Sequence, residues 1–204
     1  MEPDQFHLLF VCTANICRSP IAAELTRRRI QAAVRPDARQ VTVSSAGTHG
    51  HDGAAMDQRA GAALRSLGAH PAGFAARTLT ASLAAADLVL TAQRMHRAAV
   101  VALRPRSHGS VFTILEFARL VREVDADRLP ADGVVPRARA LVRAAAGRRG
   151  LFPVAADDDD IADPYGKPLE DYLACAKVIE LALDRPLDVI LDGPTAPATR
   201  SLTT

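Results

Sequence analysis

A cysteine and an arginine separated by five residues lie near the start of the chain, as Cys12 and Arg18 in the stretch CTANICR. An apolar run precedes them and Ser19-Pro20 follows, so they lie between a predicted strand and a predicted helix. Five residues can curl until successive backbone N–H groups point into one concavity, and the helix adds the positive end of its dipole. The pattern predicts a loop that binds an oxyanion.

The side chains of this loop suit phosphoryl transfer. Arg18 can donate two parallel hydrogen bonds to a pair of phosphate oxygens. The same positive field favours the thiolate of Cys12, which is a nucleophile, and the Ser19 hydroxyl can donate to that sulfur. The alternative is a buried strand cysteine beside a surface arginine. The flanking strand, serine and proline favour the catalytic interpretation.

The segments around the loop alternate between strand and helix patterns. Residues 6–11 form a nearly continuous apolar run, typical of a parallel strand covered on both faces. A helix begins at Ser19-Pro20 and runs to about residue 34, with an inward face formed by Ile21, Leu25, Ile30 and Val34. Further strands are predicted at 41–43, 86–91 and 110–114, and further helices at 56–67, 94–103 and 115–121. The chain is therefore predicted to be an α/β protein: a four-stranded parallel sheet flanked by helices on both faces, with ligands at the carboxyl ends of the strands.

The pattern changes after Val124. Residues 125–160 have the character of an insertion, with a helix over 136–146 and four consecutive aspartates at 157–160, which usually form a solvated run and not a metal site. A long amphipathic helix follows, with apolar residues at helical spacing: Leu169, Tyr172, Leu173, Ala176, Ile179 and Leu183. We expect one domain over residues 6–192, including the helical insertion, and a disordered tail over 193–204.

The composition excludes several classes of protein. The 204 residues carry 25 basic and 23 acidic side chains, a net charge of +2, which is too balanced for nucleic-acid binding. No apolar run reaches the length of a membrane span, and the first residues are acidic where a signal peptide is basic. Three cysteines make no disulfide framework and suit a reducing compartment. We expect a cytoplasmic protein with neither nucleic acid nor membrane as a partner.

The loop resembles the phosphate-binding loop of the low-molecular-weight protein tyrosine phosphatases, in which a cysteine, five residues, an arginine and a serine follow one another. The resemblance extends through residues 43–48 (VSSAGT), 86–90 (ADLVL) and 163–165 (DPY), and it covers most of the chain apart from the insertion and the tail. It implies a two-step reaction that uses neither metal nor cofactor. It also implies a phosphorylated protein as substrate and inorganic phosphate as product, and we expect a monomer or weak dimer.

The resemblance assigns a role to each site residue. Cys12 would form a cysteinyl-phosphate, Arg18 would hold the phosphoryl oxygens, and Asp163, beside Pro164, would act as general acid and then as base. The other phosphate-binding residues would be Thr13, Ala14, Asn15, Ile16 and Cys17. The supporting residues would be Ser19, Asn15 and Ser45, and the substrate wall would consist of Ile16, His49 and Tyr165. Cys17 would either close a reversible disulfide with Cys12 or pack as a small hydrophobic residue.

Two positions depart from the family pattern. Ala14 stands where the family has glycine, so it would place a Cβ at a position of positive φ and change the shape of the loop. Phe74 stands where the family often has histidine. The polar network around Asn15 and Ser45 is therefore expected to differ.

A phosphotyrosine phosphatase is the leading interpretation, because the apolar Ile16 favours an aryl leaving group. The first alternative is a phosphoarginine phosphatase of the same family, whose members tend to carry threonine at this position. An arsenate reductase on the same fold needs a pair of further cysteines downstream, and only Cys175 is present there. An inactive phosphoprotein-binding module commonly lacks the nucleophile or the acid, whereas this chain has Cys12, Arg18 and Asp163.

Overall fold

The computed structural model describes residues 4–71, 73–152 and 155–191, and the predicted tail at 193–204 lies outside them. Four parallel strands form one sheet in the order β2-β1-β3-β4, which confirms the predicted fold class. In the register, Cys12 lies beside Gly47 and Val11 beside Thr91, so the carboxyl ends of the strands share one edge. The strands are β1 (Phe6–Cys12), β2 (Val41–Gly47), β3 (Leu88–Thr91) and β4 (Val111–Thr113).

Helices cover both faces of the sheet. Side chains alternate along β1, so Leu8 and Phe10 join the larger core with α1, α4 and α6. Leu9 and Val11 point the other way and join a smaller cluster that includes Val100 of α3. The helices are α1 (Arg18–Ala32), α2 (Gln58–Ser66), α3 (Arg94–Leu103), α4 (Ile114–Arg122), α5 (Val134–Ala146) and α6 (Leu169–Leu191).

The helix of the predicted insertion, α5, is joined to the rest of the fold by a buried arginine. The Arg137 guanidinium donates to the backbone carbonyls of Val189 at 2.5 Å and of Pro130 and Ala126 at 3.1 Å each. A guanidinium out of contact with water needs acceptors for its N–H groups, and these carbonyls supply them. Arg137 therefore ties the segment after α4 to the C-terminal end of α6.

The predicted inward position of Val34 is wrong. The helix α1 ends at Ala32, and Val34 is 99% exposed. Pro36 follows closely, and because proline disfavours helical geometry in the residue before it, the chain has already left the helix when it reaches Val34. The inward positions Ile21 and Leu25 are buried as predicted.

The last helix is long, as predicted, but less evenly buried than its spacing indicates. Leu169 and Leu173 remain 38% and 37% exposed, because the first turns of α6 lie at the rim of the core. The helix passes through Pro186 and ends at Leu191. Burial of Leu187 and Leu191 offsets the hydrogen bond that proline cannot donate. No helix in the ranges that the structure describes is long and apolar enough to cross a membrane.

Candidate active site

The loop between β1 and α1 curls around a left-handed residue. Asn15 has φ of 59°, and it is the one non-glycine residue in the described part of the chain with positive φ. The expectation that Ala14 would need this geometry is wrong, because the chain reverses one residue later. Asparagine tolerates the left-handed region better than most residues, and its side chain can hold the turn.

The Asn15 side chain braces the loop with three hydrogen bonds. Its Nδ2 donates to Ser19 Oγ and to Ser45 Oγ, both at 2.9 Å, and its Oδ1 accepts from the backbone N–H of Arg77 at 3.0 Å. The network predicted around Asn15 and Ser45 therefore forms without a histidine at Phe74, because a backbone amide supplies the third bond. Asn15 itself is fully buried, so its amide exchanges all contact with water for these bonds.

The end of β2 closes against the same loop. The backbone N–H groups of Thr48 and His49 donate to the carbonyls of Cys12 and Thr13, both at 2.9 Å. A Cβ on Gly47 would lie 2.4 Å from the carbonyl oxygen of Thr13, so glycine is required for this close approach. The first loop is thus held from both sides before any ligand binds.

Cys12 ends β1 at the bottom of a cavity of about 230 Å³. Its Sγ lies 2.9 Å from Ser19 Oγ, the partner predicted for the sulfur. The helix α1 begins at Arg18, and its N-cap residue, Cys17, makes no side-chain hydrogen bond to the first turn. The free N–H groups of that turn are available to an anion. The cavity is lined by Cys12, Thr13, Ala14, Ile16, Cys17, Arg18, His51, Asp163 and Tyr165.

Arg18 is buried and held by acceptors from three parts of the fold. Its Nη1 donates to Gln93 Oε1 at 3.0 Å and to the carbonyl of Ile161 at 3.2 Å. Its Nη2 donates to Thr13 Oγ1 at 3.4 Å and to Asp163 Oδ2 at 2.7 Å. The buried Nε has no partner among the described residues, so it can donate to a phosphate oxygen. Asp163 is the one charged acceptor among these partners, and the other three are neutral.

The loop that carries Asp163 is fixed on its N-terminal side. The backbone N–H of Ile161 donates to the Ala92 carbonyl at 2.8 Å, and Asp160 Oδ1 accepts from the backbone N–H of Arg94 at 2.7 Å. The Asp163 side chain itself is 46% exposed and reaches back to Arg18 across the cavity. The structure therefore brings a thiol, a guanidinium and a carboxylate from distant parts of the sequence to one cavity.

Comparisons with known proteins agree with this geometry. The family model described as low molecular weight phosphotyrosine protein phosphatase matches residues 7–129. The low molecular weight protein-tyrosine phosphatase A of Mycobacterium bovis is 31% identical over 181 residues, which is 88% of each chain. This chain belongs to the low molecular weight phosphotyrosine protein phosphatase family. It is a member of a family of cysteine-dependent hydrolases, as the first loop predicts.

Solved structures show the same fold. The Erwinia amylovora tyrosine phosphatase amsI superimposes with a TM-score of 0.64 at 20% identity, over 90% of this chain and 92% of the other. The YwlE arginine phosphatase from Geobacillus stearothermophilus has a TM-score of 0.64 at 26% identity, over 90% of this chain and 91% of the other. Proteins with two different named substrates thus share the fold of this phosphatase.

The mouth of the phosphatase cavity differs in one residue from the predicted substrate wall. Ile16 and Tyr165 line it, but the histidine that lines it is His51 and not His49. His49 instead places its Nδ1 3.2 Å from Thr48 Oγ1, on the exposed side of the loop. His51 follows His49 by two residues, and the path of the loop between them brings His51 to the cavity. The positions of the two histidines in the sequence do not show which of them reaches it.

The other two cysteines of the phosphatase are buried thiols. Burial raises the pKa of Cys17 far above its usual range, and the nearby Asp57 carboxylate adds to the effect. Burial also raises the pKa of Cys175 to about 12. Both are free thiols, as is Cys12. Neither Cys17 nor Cys175 is suited to act as a thiolate at neutral pH.

Besides His51, three contributors to the site were missed by sequence reasoning. Gln93 follows β3 by two residues, so its place at the carboxyl edge of the sheet was a usable signal. Ile161 contributes through its backbone carbonyl, for which residue type gives no signal. His96 lies buried in the first turn of α3, with Nε2 2.9 Å from Thr13 Oγ1. Only the fold shows that α3 starts beneath the phosphate-binding loop.

Proposed function

We propose that this chain is a protein tyrosine phosphatase that hydrolyses phosphotyrosine through a cysteinyl-phosphate. The observation that carries the proposal is that Cys12, Arg18 and Asp163 line one cavity, with Arg18 bonded to Asp163 at 2.7 Å. A nucleophile, an anion clamp and an acid in one cavity are the groups that phosphate ester hydrolysis needs.

The first step is transfer of the phosphoryl group to sulfur. The Cys12 thiolate attacks phosphorus in line and forms the S–P bond while the P–O bond to the tyrosyl oxygen breaks. Asp163 gives its proton to that oxygen, so the leaving group departs as neutral tyrosine. Arg18 and the loop N–H groups neutralise the charge on the oxygens that do not leave. Asp163 ends this step as a carboxylate.

The second step returns the enzyme to its starting state. The Asp163 carboxylate takes a proton from water as the water oxygen attacks phosphorus. The S–P bond breaks, inorganic phosphate forms, and the thiolate of Cys12 leaves with a hydrogen bond from the Ser19 hydroxyl. Protons and electron pairs balance over the two steps with the groups of the chain alone.

The lining of the cavity favours an aryl phosphate as substrate. Ile16 presents an apolar side chain, and Tyr165 is an exposed aromatic ring at the mouth. A flat ring packs against such a wall. The second candidate is phosphoarginine, because an arginine phosphatase is among the similar proteins, at 26% identity over 88% of this chain. A guanidinium is also flat and can stack on Tyr165, so the lining alone does not separate the two substrates.

We infer that the substrate is a phosphorylated protein, that no metal ion, cofactor, nucleic acid or membrane takes part, and that the enzyme works as a monomer or weak dimer. Three free thiols support a reducing compartment, for which we propose the cytoplasm. We propose a single domain over residues 6–192, in which 125–160 is an insertion.

Turnover of three phosphopeptides of one sequence tests the substrate. The peptides carry phosphotyrosine, phosphoserine or phosphoarginine at the same position, and inorganic phosphate release is measured. We expect the phosphotyrosine peptide to be hydrolysed about tenfold faster than the others. The serine alkoxide leaves less readily than a phenolate, and the apolar Ile16 favours an aryl leaving group over a guanidinium. Faster hydrolysis of the phosphoarginine peptide would select the second candidate. Cys12→Ser serves as the background control.

A further inference from the structure

A buried histidine lies directly beneath the phosphate-binding loop and has no part in the two steps above. His96 is the third residue of α3 and is fully buried. Its Nε2 lies 2.9 Å from Thr13 Oγ1, and Thr13 lines the cavity beside Cys12.

His96 is neutral at physiological pH. Burial lowers its pKa to about 4, and the Arg18 guanidinium contributes in the same direction, against an opposing effect of Asp163. A neutral imidazole carries one N–H and one lone pair. The proton of the neutral ring lies on either Nε2 or Nδ1. In the first case Nε2–H donates to Thr13 Oγ1, and in the second the Thr13 hydroxyl donates to Nε2.

The surroundings of Nδ1 determine which of the two tautomers is favoured. Nδ1 of His96 is buried and has no hydrogen-bond partner among the described residues. A proton on Nδ1 would be a buried donor without an acceptor, and such orphaned N–H groups are rarer in proteins than under-used acceptors. A proton on Nε2 leaves only an unused lone pair at Nδ1. The favoured tautomer therefore has Nε2–H donating to Thr13 Oγ1.

The Thr13 oxygen then accepts two hydrogen bonds. One comes from His96 Nε2, and the other from Arg18 Nη2 at 3.4 Å. A hydroxyl oxygen has two lone pairs, so both are used and the hydroxyl proton must be donated elsewhere. The side that remains open is the cavity that Thr13 lines with Cys12, Arg18 and Asp163.

We propose that Thr13 is an additional phosphate-binding side chain, whose hydroxyl donates to a non-bridging oxygen of the phosphoryl group, and that His96 is the positioning residue that aims it. This inference rests on the proposed function. It adds a side-chain donor to the loop N–H groups and Arg18. A donor fixed before the substrate arrives stabilises charge on the phosphoryl oxygens with little reorganisation.

Substitutions at Thr13 test the donor. Thr13→Val keeps the shape and removes the hydroxyl, Thr13→Ser keeps the hydroxyl, and Thr42→Val, on the exposed side of β2, is the matched control. We expect Thr13→Val to lower kcat/KM for p-nitrophenyl phosphate about tenfold and to weaken binding of inorganic phosphate, since a hydrogen bond to a charged group is lost. Thr13→Ser should stay within about threefold of the parent. A Thr13→Val enzyme with parental kcat/KM and phosphate affinity overturns the proposal.

A double-mutant cycle with His96 tests the positioning role. His96→Leu removes the ring donor, whereas His96→Gln can place an N–H near the position of Nε2. We expect His96→Leu to lower kcat/KM only when Thr13 is present, so that the double variant with Thr13→Val is no worse than Thr13→Val alone. If the fold-reduction in kcat/KM of the double variant equals the product of the two single reductions, His96 acts independently of the hydroxyl. That result would contradict the positioning role. Restoration of activity by His96→Gln supports a donated hydrogen bond over simple packing.

Phosphate binding separates this inference from the proposed function. The thermal shift that inorganic phosphate produces is measured on each variant, with Cys12→Ser included, and needs no turnover. An enzyme that binds phosphate through Thr13 but hydrolyses no phosphopeptide would contradict the phosphatase proposal and leave the Thr13 assignment standing. If His96→Leu fails to fold, His96→Asn, whose amide is too short to reach Thr13, replaces it in the cycle, and the Thr13 pair still tests the hydroxyl donor.

Discussion

Arg18 and Asp163 form an ion pair across the cavity, with Nη2 donating to Oδ2 at 2.7 Å. The guanidinium is buried and the carboxylate half exposed. In the proposed reaction Arg18 binds the phosphoryl oxygens and Asp163 is the acid. The two groups proposed for catalysis are therefore hydrogen-bonded to each other in this structure. We expect a phosphate dianion bound to Arg18 to take the place of this carboxylate, which would then face the leaving oxygen.

Removing the Asp163 carboxylate should affect catalysis and phosphate binding in opposite directions. For Asp163→Ala we expect kcat to fall about 100-fold for leaving groups that need a proton and far less for p-nitrophenolate. Binding of inorganic phosphate should tighten up to about fivefold, because a competing anion is lost, and solvent screening of the exposed carboxylate limits the gain. Steady-state rates with a series of aryl phosphates and the Ki of phosphate measure both effects.

The matched control is Asp132→Ala, which removes an exposed carboxylate from the insertion. It should leave both quantities unchanged. Equal slowing of all aryl phosphates by Asp163→Ala would remove Asp163 as the general acid.

The shape of the phosphate-binding loop should depend on Asn15. Asn15→Ala deletes three hydrogen bonds, two of them buried and one partly buried, and places alanine at φ of 59°. We expect the free energy of unfolding to fall by about 2–4 kcal/mol, together with a loss of kcat. Ser45→Ala removes one of the three bonds and should cost about 1 kcal/mol. Urea denaturation measures both values, and equal stability of the two variants would contradict the bracing role.

Two histidines in the loop after β2 provide a matched pair of variants. His51 lines the cavity, whereas His49 does not. We expect His51→Ala to raise KM for an aryl phosphate about threefold with little change in kcat, since contact with the ring is lost and the reacting groups are untouched. His49→Ala should leave KM at its parental value. A larger rise in KM for His49→Ala than for His51→Ala would support His49 as the substrate-wall residue, as the sequence predicts.

Acid should destabilise the fold through His96. Its pKa is about 4 when folded and rises to the ordinary value of 6.5 on unfolding. The unfolded chain therefore binds the proton more tightly, and stability present above pH 6.5 is lost as the pH falls toward 4. The expected loss is about 3 kcal/mol between pH 7 and pH 4, relative to His96→Gln. Urea denaturation at several pH values checks this, and parallel curves for the two proteins would contradict it.

The fold and the site could be predicted wherever a single local pattern in the sequence determines the structure. Short apolar runs and alternating helices gave the parallel sheet, and the order of residue types from Cys12 to Ser19 gave the phosphate-binding loop. The place of Asp163 came from a family resemblance, since one aspartate after a run of four has no distinct physical signature. Such a residue is assigned to the site only when the fold brings its loop to Arg18.

Other features depended on the path of the chain in three dimensions. Which of His49 and His51 faces the cavity is set by how the loop returns toward Arg77, and residue type is the same at both positions. The left-handed turn falls at Asn15 and not at Ala14 because the Asn15 side chain finds three partners from three segments. His96 and Gln93 reach the site because β3 ends at its edge, which a pattern of apolar residues cannot specify in detail.

Trapping of the phosphoenzyme tests the central claim most directly. The parent enzyme and Cys12→Ser are mixed with p-nitrophenyl phosphate, quenched with acid within milliseconds, and the intact mass and the phosphorylated peptide are determined. We expect one added phosphoryl group on Cys12 of the parent, whereas the Cys12→Ser variant should not turn over and should release no phosphate. Phosphate release by Cys12→Ser at the parental rate, or a phosphoryl group on another residue of the parent, would contradict the assignment of Cys12 as the nucleophile.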